Sequence, residues 1–220
     1  VEITTLAGSK LESLKPLPYS FIVNEKDGTL TLPKSAEDAR IVKYISAFPE
    51  TPDSLGLKVS TGLVIDSRCQ NLIFDEPMKS SVPLIRPSAI HGGRVVFPAP
   101  IKNQYIAPVD SRIIQKNKNM IIIKRVPAVS DDRFVNSAIY LAGQLPQYRY
   151  ISTHNKINYI DTKDKNGEIC TRLAFGLFAL LNSTIYDRFI SIISKSKQIN
   201  SKEKLGLNSI KLTIIINERK

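Results

Sequence analysis

From Leu173 to Ile193 apolar residues recur at helical rather than strand spacing. Leu173, Leu177, Leu180, Leu181, Ile190 and Ile193 fall on one stripe, Tyr186 is displaced from it by one position, and Phe178, Ile185 and Phe189 widen it. The pattern predicts one long amphipathic core helix. Asn166-Gly167 supplies its start, because an Asn side chain accepts a backbone N–H from the first turn, and the pattern breaks at Ser194. Beyond the break, Lys195-Ser196-Lys197-Gln198-Ile199-Asn200-Ser201-Lys202 brings cations, amides and hydroxyls together. Those groups bind phosphates and read base edges. Taken alone, they equally compose a solvated helix end whose lysines favour the negative end of the dipole.

Upstream the periods are different. Residues 1–56 read as a lead-in, with a hairpin of Phe21-Ile22-Val23 and Thr29-Leu30-Thr31-Leu32 around the turn Asn24 to Gly28. Ser35 caps a helix running to about Phe48, with Ala39, Val42 and Ile45 on one face and Pro49 and Pro52 stopping it. Short strands follow at Leu57 to Asp66, Val82 to Arg86, Gly93 to Phe97, Asn119 to Val126, Ser137 to Leu141, Tyr148 to Thr153 and Ile157 to Asp161, with His91-Gly92-Gly93 turning the second into the third. A last strand is expected over Ile210 to Ile216. Strand runs bracketed by helices give an α+β class: mixed, mostly antiparallel short strands, a short helix near the N-terminus and the long one near the C-terminus.

Charge is unevenly placed. The chain of 220 residues carries +11 in total, yet residues 1–50 hold 6 basic and 7 acidic side chains, so residues 51–220 carry +12. A one-sided field of that size favours a polyanion, most often nucleic acid. An anionic membrane surface ranks third, behind DNA and RNA, because residues 169–193 hold only Arg172 and Arg188 as cations. No apolar run approaches the roughly 18 residues a bilayer span needs, and the N-terminus has no signal-peptide layout, so the chain is expected in the cytosol. Cys69, Cys170, His91 and His154 make no spaced ligand set; free thiols are expected, with neither zinc nor disulfide. A chain that starts without Met reads as a piece of something longer.

The residue order holds no glycine-rich phosphate loop, HExxH or GxSxG. A nuclease would need clustered carboxylates with a lysine, and Asp66, Asp75, Glu76 and Lys79 come nearest; their spacing fits ordinary surface charge better. Polar clusters suited to reading a duplex stand out more. Ser60-Thr61-Gly62 lets a backbone approach a partner closely and Arg68 follows, while His154-Asn155-Lys156-Ile157-Asn158-Tyr159 packs donors, acceptors and a ring into one segment. Local turn chemistry is the alternative for each.

In chain order stand Val59-Ser60-Thr61-Gly62-Leu63-Val64, Val82-Pro83-Leu84-Ile85, Ile121-Ile122-Ile123-Lys124-Arg125, the His154 to Tyr159 segment, Ala174-Phe175-Gly176-Leu177, Leu181-Asn182-Ser183-Thr184 and Lys197-Gln198-Ile199-Asn200-Ser201. This ordered set resembles the C-terminal target-recognition region of gamma-class N6-adenine DNA methyltransferases of bacterial type II restriction-modification systems. The likeness covers about residues 57–207, and the spacing from Leu-Asn-Ser-Thr to Gln-Ile-Asn-Ser is its most specific part. It departs from the common wording at Lys195-Ser196-Lys197 and at Ile199, where the family more often has a glycine- and threonine-bearing loop and a Val.

The resemblance implies residues 57–220 as a DNA target-recognition domain, with double-stranded DNA and the N-terminal methyltransferase domain of the same chain as partners. It places S-adenosylmethionine in that other domain and no cofactor here, since the family's Asn-Pro-Pro-Tyr and methyl-donor motifs are absent. Lys15-Pro16-Leu17-Pro18-Tyr19 lacks the Asn or Asp and the paired prolines of the first. The DNA-contacting candidates are Ser60, Thr61, Arg68, Lys124, Arg125, His154, Asn155, Asn158, Lys195, Lys197, Gln198, Asn200 and Lys202. By itself the chain is expected to be inactive. The alternatives are a nuclease domain of a restriction system and an RNA-binding module, the latter disfavoured by 7% aromatic content and no interleaved stacking platform.

Overall fold

The computed structural model describes residues 4–7, 10–13, 16–23, 30–107, 111–125 and 132–193. In chain order they form β1 (Thr4–Ala7), β2 (Lys10–Ser13), α1 (Tyr19–Ile22), α2 (Ala36–Ser46), β3 (Leu57–Thr61), α3 (Asp66–Cys69), β4 (Ile73–Phe74), β5 (Val82–Ile85), β6 (Ile90–His91), β7 (Arg94–Val95) and β8 (Tyr105–Ile106). There follow β9 (Gln115–Lys116), β10 (Met120–Lys124), β11 (Ser137–Tyr140), β12 (Tyr150–Thr153), β13 (Ile157–Thr162), α4 (Thr171–Leu181) and α5 (Thr184–Ile193).

Two sheets and a helical layer stack on one another. The larger sheet has the order β3-β13-β10-β11-β7-β6 and the smaller β4-β8-β5-β12-β9, while β1 and β2 pair with each other in a two-stranded ribbon. Pairing is antiparallel except between β11 and β7 and between β12 and β5. This is the α+β class read from the sequence.

β10 shows why the layers stack. Its run Met120-Ile121-Ile122-Ile123 is buried on both faces, so it reads as an unbroken apolar stretch rather than an alternation. Ile121 and Ile123 join the helices through Val42, Ala174, Leu177, Leu181, Phe189 and Ile190. Met120 and Ile122 turn the other way, against Ile85 and Ile151 of the smaller sheet. Successive side chains of one strand thus serve two cores.

Helix α2 begins where the sequence puts it: Ser35 Oγ accepts from Asp38 N at 3.1 Å, and Asp38 Oδ2 accepts from Lys34 N at 3.0 Å. It shares the first core through Val42 and Ile45, so this part of the lead-in packs with the later chain.

Several expectations require correction. The long C-terminal helix is two helices broken at Asn182-Ser183. Asn182 leaves helical dihedrals (φ −93°, ψ 2°), and its Nδ2 donates to Phe178 O at 2.8 Å and Ser137 Oγ at 2.6 Å. Ser183 Oγ then accepts from Tyr186 N at 3.2 Å and starts the second helix. The first starts after Cys170, not at Asn166-Gly167. In the lead-in, residues 19–22 form a helical turn; of the expected hairpin the described residues show a bridge between Val23 and Leu30, while its turn, Asn24 to Gly28, lies outside them. The strand expected to reach Asp66 ends at Thr61, with Asp66 opening α3. His91-Gly92-Gly93 does turn the chain, with φ of 54° and 74° at the two glycines, but it joins β6 to β7, not β5 to β7. The strand expected over 210–216 lies outside the described residues.

Candidate nucleic-acid interface

The two sheets meet at one corner. β12 belongs to the smaller sheet and β13 to the larger, and the turn His154-Asn155-Lys156 carries the chain from one to the other. Beyond β3 the chain runs beside that turn: Leu63 N and Val64 N both donate to Thr153 O, and Asn155 N donates to Val64 O at 2.8 Å. Gly62 makes the crossing possible, because a Cβ there would lie 2.0 Å from the carbonyl oxygen of His154. The close approach expected of Gly62 is therefore made to the chain's own backbone.

All eight sequence-nominated residues that fall within the described part gather around this corner. Register pairs Thr61 with Asn158, Ser60 with Tyr159, Ile123 with Asn158 and Lys124 with Ile157. Arg125 continues from β10: its backbone N–H donates to Lys156 O at 2.9 Å and its Nη1 to Asn155 O at 3.3 Å. Arg68 sits on α3, two residues beyond Asp66, which faces His154. Their exposures differ, however. Arg68 is exposed, and Ser60, Thr61, Lys124, Arg125 and Asn155 are half-buried. His154 at 3% and Asn158 at 1% are interior, the latter accepting from Thr61 Oγ1 at 3.0 Å. Lys195, Lys197, Gln198, Asn200 and Lys202 lie outside the described residues.

Residue order did not single out the group that organises the outer side of the corner. Arg86 Nη2 donates to Asp66 Oδ2 at 2.7 Å, and Nη1 donates to Asn103 O at 3.2 Å. One guanidinium thereby ties α3 to the loop before β8. His154 Nδ1 accepts from Lys156 N at 3.2 Å, which assigns the ring proton to Nε2. That nitrogen lies 3.2 Å from Asp66 Oδ2, within ion-pair distance but out of line for a well-formed hydrogen bond. Burial pushes the Asp66 carboxyl up, but the hydrogen bond and charge of Arg86, helped by His154, outweigh it and hold the group below the usual carboxylate range. For His154 burial acts downward, Arg86 adds to it, and Asp66 offsets part, leaving the imidazole below its ordinary value.

Beside this group an open cavity of about 310 Å³ is lined by Asp66, Ser67, Gln70, Ile73 and Asn103. Asn103 takes a left-handed backbone, φ 60°, with its N–H on Asp75 Oδ1 at 2.6 Å. Sequence spacing reads Asp66 as an isolated surface charge, and its partners lie 20 and 88 residues away. Only topology brings them together. Lys156, exposed on the turn itself, had its signal in the His154 to Tyr159 segment.

Gly62 packs on backbone, and a Cβ at Gly93 would lie 2.5 Å from the Phe178 ring. No group of three or more His, Cys, Asp or Glu among the described residues could hold a metal ion. Cys69 is buried and Cys170 exposed, both as free thiols. Among the described residues no helix is long and apolar enough to cross a membrane.

Comparison with known proteins adds a relation at low identity. No protein-family model matches the chain. It is 26% identical over 210 residues to the type II methyltransferase M.PstI of Providencia stuartii, covering 93% of this chain and 41% of that protein. It is 25% identical over 152 residues to the type II methyltransferase M.BsuBI of Bacillus subtilis, covering 68% of this chain and 30% of that protein. The chain is thus related to type II methyltransferases and spans less than half the length of those it matches.

Proposed function

We propose that this chain is the DNA target-recognition part of a type II adenine-N6 methyltransferase of a restriction-modification system. The observation that carries the reading is the convergence of Arg68, Lys124, Arg125, Asn155 and Lys156 on the corner where the sheets meet, in a chain related to type II methyltransferases. The gamma class, and a methyl-donor domain preceding this part, rest on the ordered motif resemblance.

In this reading cations at the corner anchor phosphates and amide side chains read base edges. The remainder of the protein binds S-adenosylmethionine and receives a flipped adenine. Lys195, Lys197 and Lys202 add phosphate contacts, and Gln198 and Asn200 add base contacts. His154 and Asn158 are too deeply placed to touch a duplex and instead support the residues that do.

The test is the salt dependence of duplex binding by the complete protein. Arg68→Ala, Lys124→Ala and Lys156→Ala should each weaken binding to all sequences alike and lower the salt slope by about 0.9 for each phosphate no longer neutralised. Wild-type slope and affinity in all three variants would contradict the assignment of this corner.

A further inference from the structure

The cavity beside α3 deepens that reading and rests on it. We propose that Asp66 is a specificity-determining residue, whose carboxylate accepts a hydrogen bond from the exocyclic amino group of one base, cytosine N4 or adenine N6, presented to the open cavity at the sheet corner.

Three features of the geometry point there. First, the carboxylate is fixed. Arg86 donates to Oδ2 at 2.7 Å and His154 Nε2 lies 3.2 Å from the same oxygen, so Oδ1 is left to accept from a ligand. Arg86 is itself held by its second bond to Asn103 O, and its side chain is only 14% exposed, whereas that of Asp66 is 53% exposed. A largely covered cation thus positions an accessible anion, and His154 Nε2, buried and without a well-formed bond of its own, lies beside the same group.

Second, the walls carry the complementary groups for a base edge. A carboxylate can only accept, and a base amino group is the donor that a carboxylate reads in the major groove. Gln70 and Asn103 each offer an amide donor and acceptor, and Ser67 a hydroxyl. Ile73 supplies the apolar part of the lining. A volume of about 310 Å³ admits one base edge.

Third, the charge balance suits a polyanion. An unpaired carboxylate would repel phosphates, but Arg86 neutralises this one locally, with Arg68 on the same helix and Lys102 next to Asn103. The same cations argue against a cationic ligand, to which the +12 carried by residues 51–220 is hostile.

The experiment uses the complete protein and a duplex it enriches from random sequence. Each adenine in the enriched site is replaced in turn by purine, which lacks the 6-amino group, and each cytosine by 2-pyrimidinone, which lacks the 4-amino group. Affinities are measured for wild type, Asp66→Ala and Gln70→Trp; the last fills the cavity from an exposed position and leaves Asp66, Arg86 and His154 in place. At one position, deleting the amino group should weaken wild-type binding about tenfold or more and leave both variants unaffected. The base at that position says whether the group is cytosine N4 or adenine N6. Equal losses in wild type and both variants at every position would overturn the role of Asp66 while leaving DNA recognition standing. Failure to enrich any site would overturn the recognition reading and this inference together.

Discussion

Arg188 on α5 closes both Nε and Nη2 on a single oxygen of Asp38 on α2, at 2.8 and 2.7 Å, and that carboxylate is 1% exposed. Its other oxygen holds the backbone N–H of Lys34. Arg188 is itself half in solvent, yet removing it strands a buried anion. Arg188→Ala should therefore cost about 2 to 4 kcal/mol, far more than an exposed arginine is worth. Adding Asp38→Asn should return part of the loss, because the stranded charge is gone. Denaturant unfolding of the single and double variants would show this, and strictly additive losses would contradict it.

The stripe on the last two helices faces the core that α2 shares with the larger sheet. Leu177→Ala and Leu181→Ala, at positions 0% and 1% exposed, should each cost about 2 to 5 kcal/mol through the cavity left behind. Unfolding midpoints close to that of wild type would mean these side chains are not packed as described.

Two glycines should respond in opposite directions. Gly62→Ala would drive a methyl group to 2.0 Å from the His154 carbonyl and part the strands at the corner, so folding should be lost or severely weakened. Gly176→Ala, in the interior of α4 with nothing within 4 Å, should gain about 0.5 to 1 kcal/mol from helix propensity. A stable Gly62→Ala protein would refute the close crossing of β3 and the turn after β12.

These cases show what residue order carried and what it could not. Hydrophobic period located α2, α4 with α5, and most strands, because burial imposes it directly. The break at Asn182-Ser183 had a signal in the one-residue displacement of Tyr186, but a stripe three residues wide absorbs such a slip, and Ser183 acts as a cap only once the chain turns there. The polar runs at Ser60, Lys124 and His154 were legible as clusters, and pairing of β3, β13 and β10 gathered them. That His154 and Asn158 point inward was not legible, since a polar residue on a doubly covered strand looks like one on a surface. The Asp66, Arg86 and Asn103 group had no local signature at all; its members meet only through topology.

The corner should make the fold sensitive to acid. His154 is held below its ordinary 6.5, so the unfolded chain protonates first, and this contribution to stability is complete above about pH 6.5 and declines as pH falls towards the lowered value. Asp66 is held below 3.8, so its contribution is present above that and is lost as pH falls further, through its folded value. His154→Gln should remove the first decline and leave the second. Melting temperatures followed downward from pH 8 would test this; identical profiles for the two proteins would disprove the role given to His154.

Selection from a random duplex pool by the complete protein bears most directly on the central claim. A target-recognition domain should enrich one recurring short sequence, typically bound about a thousandfold or more tighter than random duplex at physiological salt. Enrichment of no common sequence, or tighter binding of single-stranded RNA than of any duplex, would contradict it.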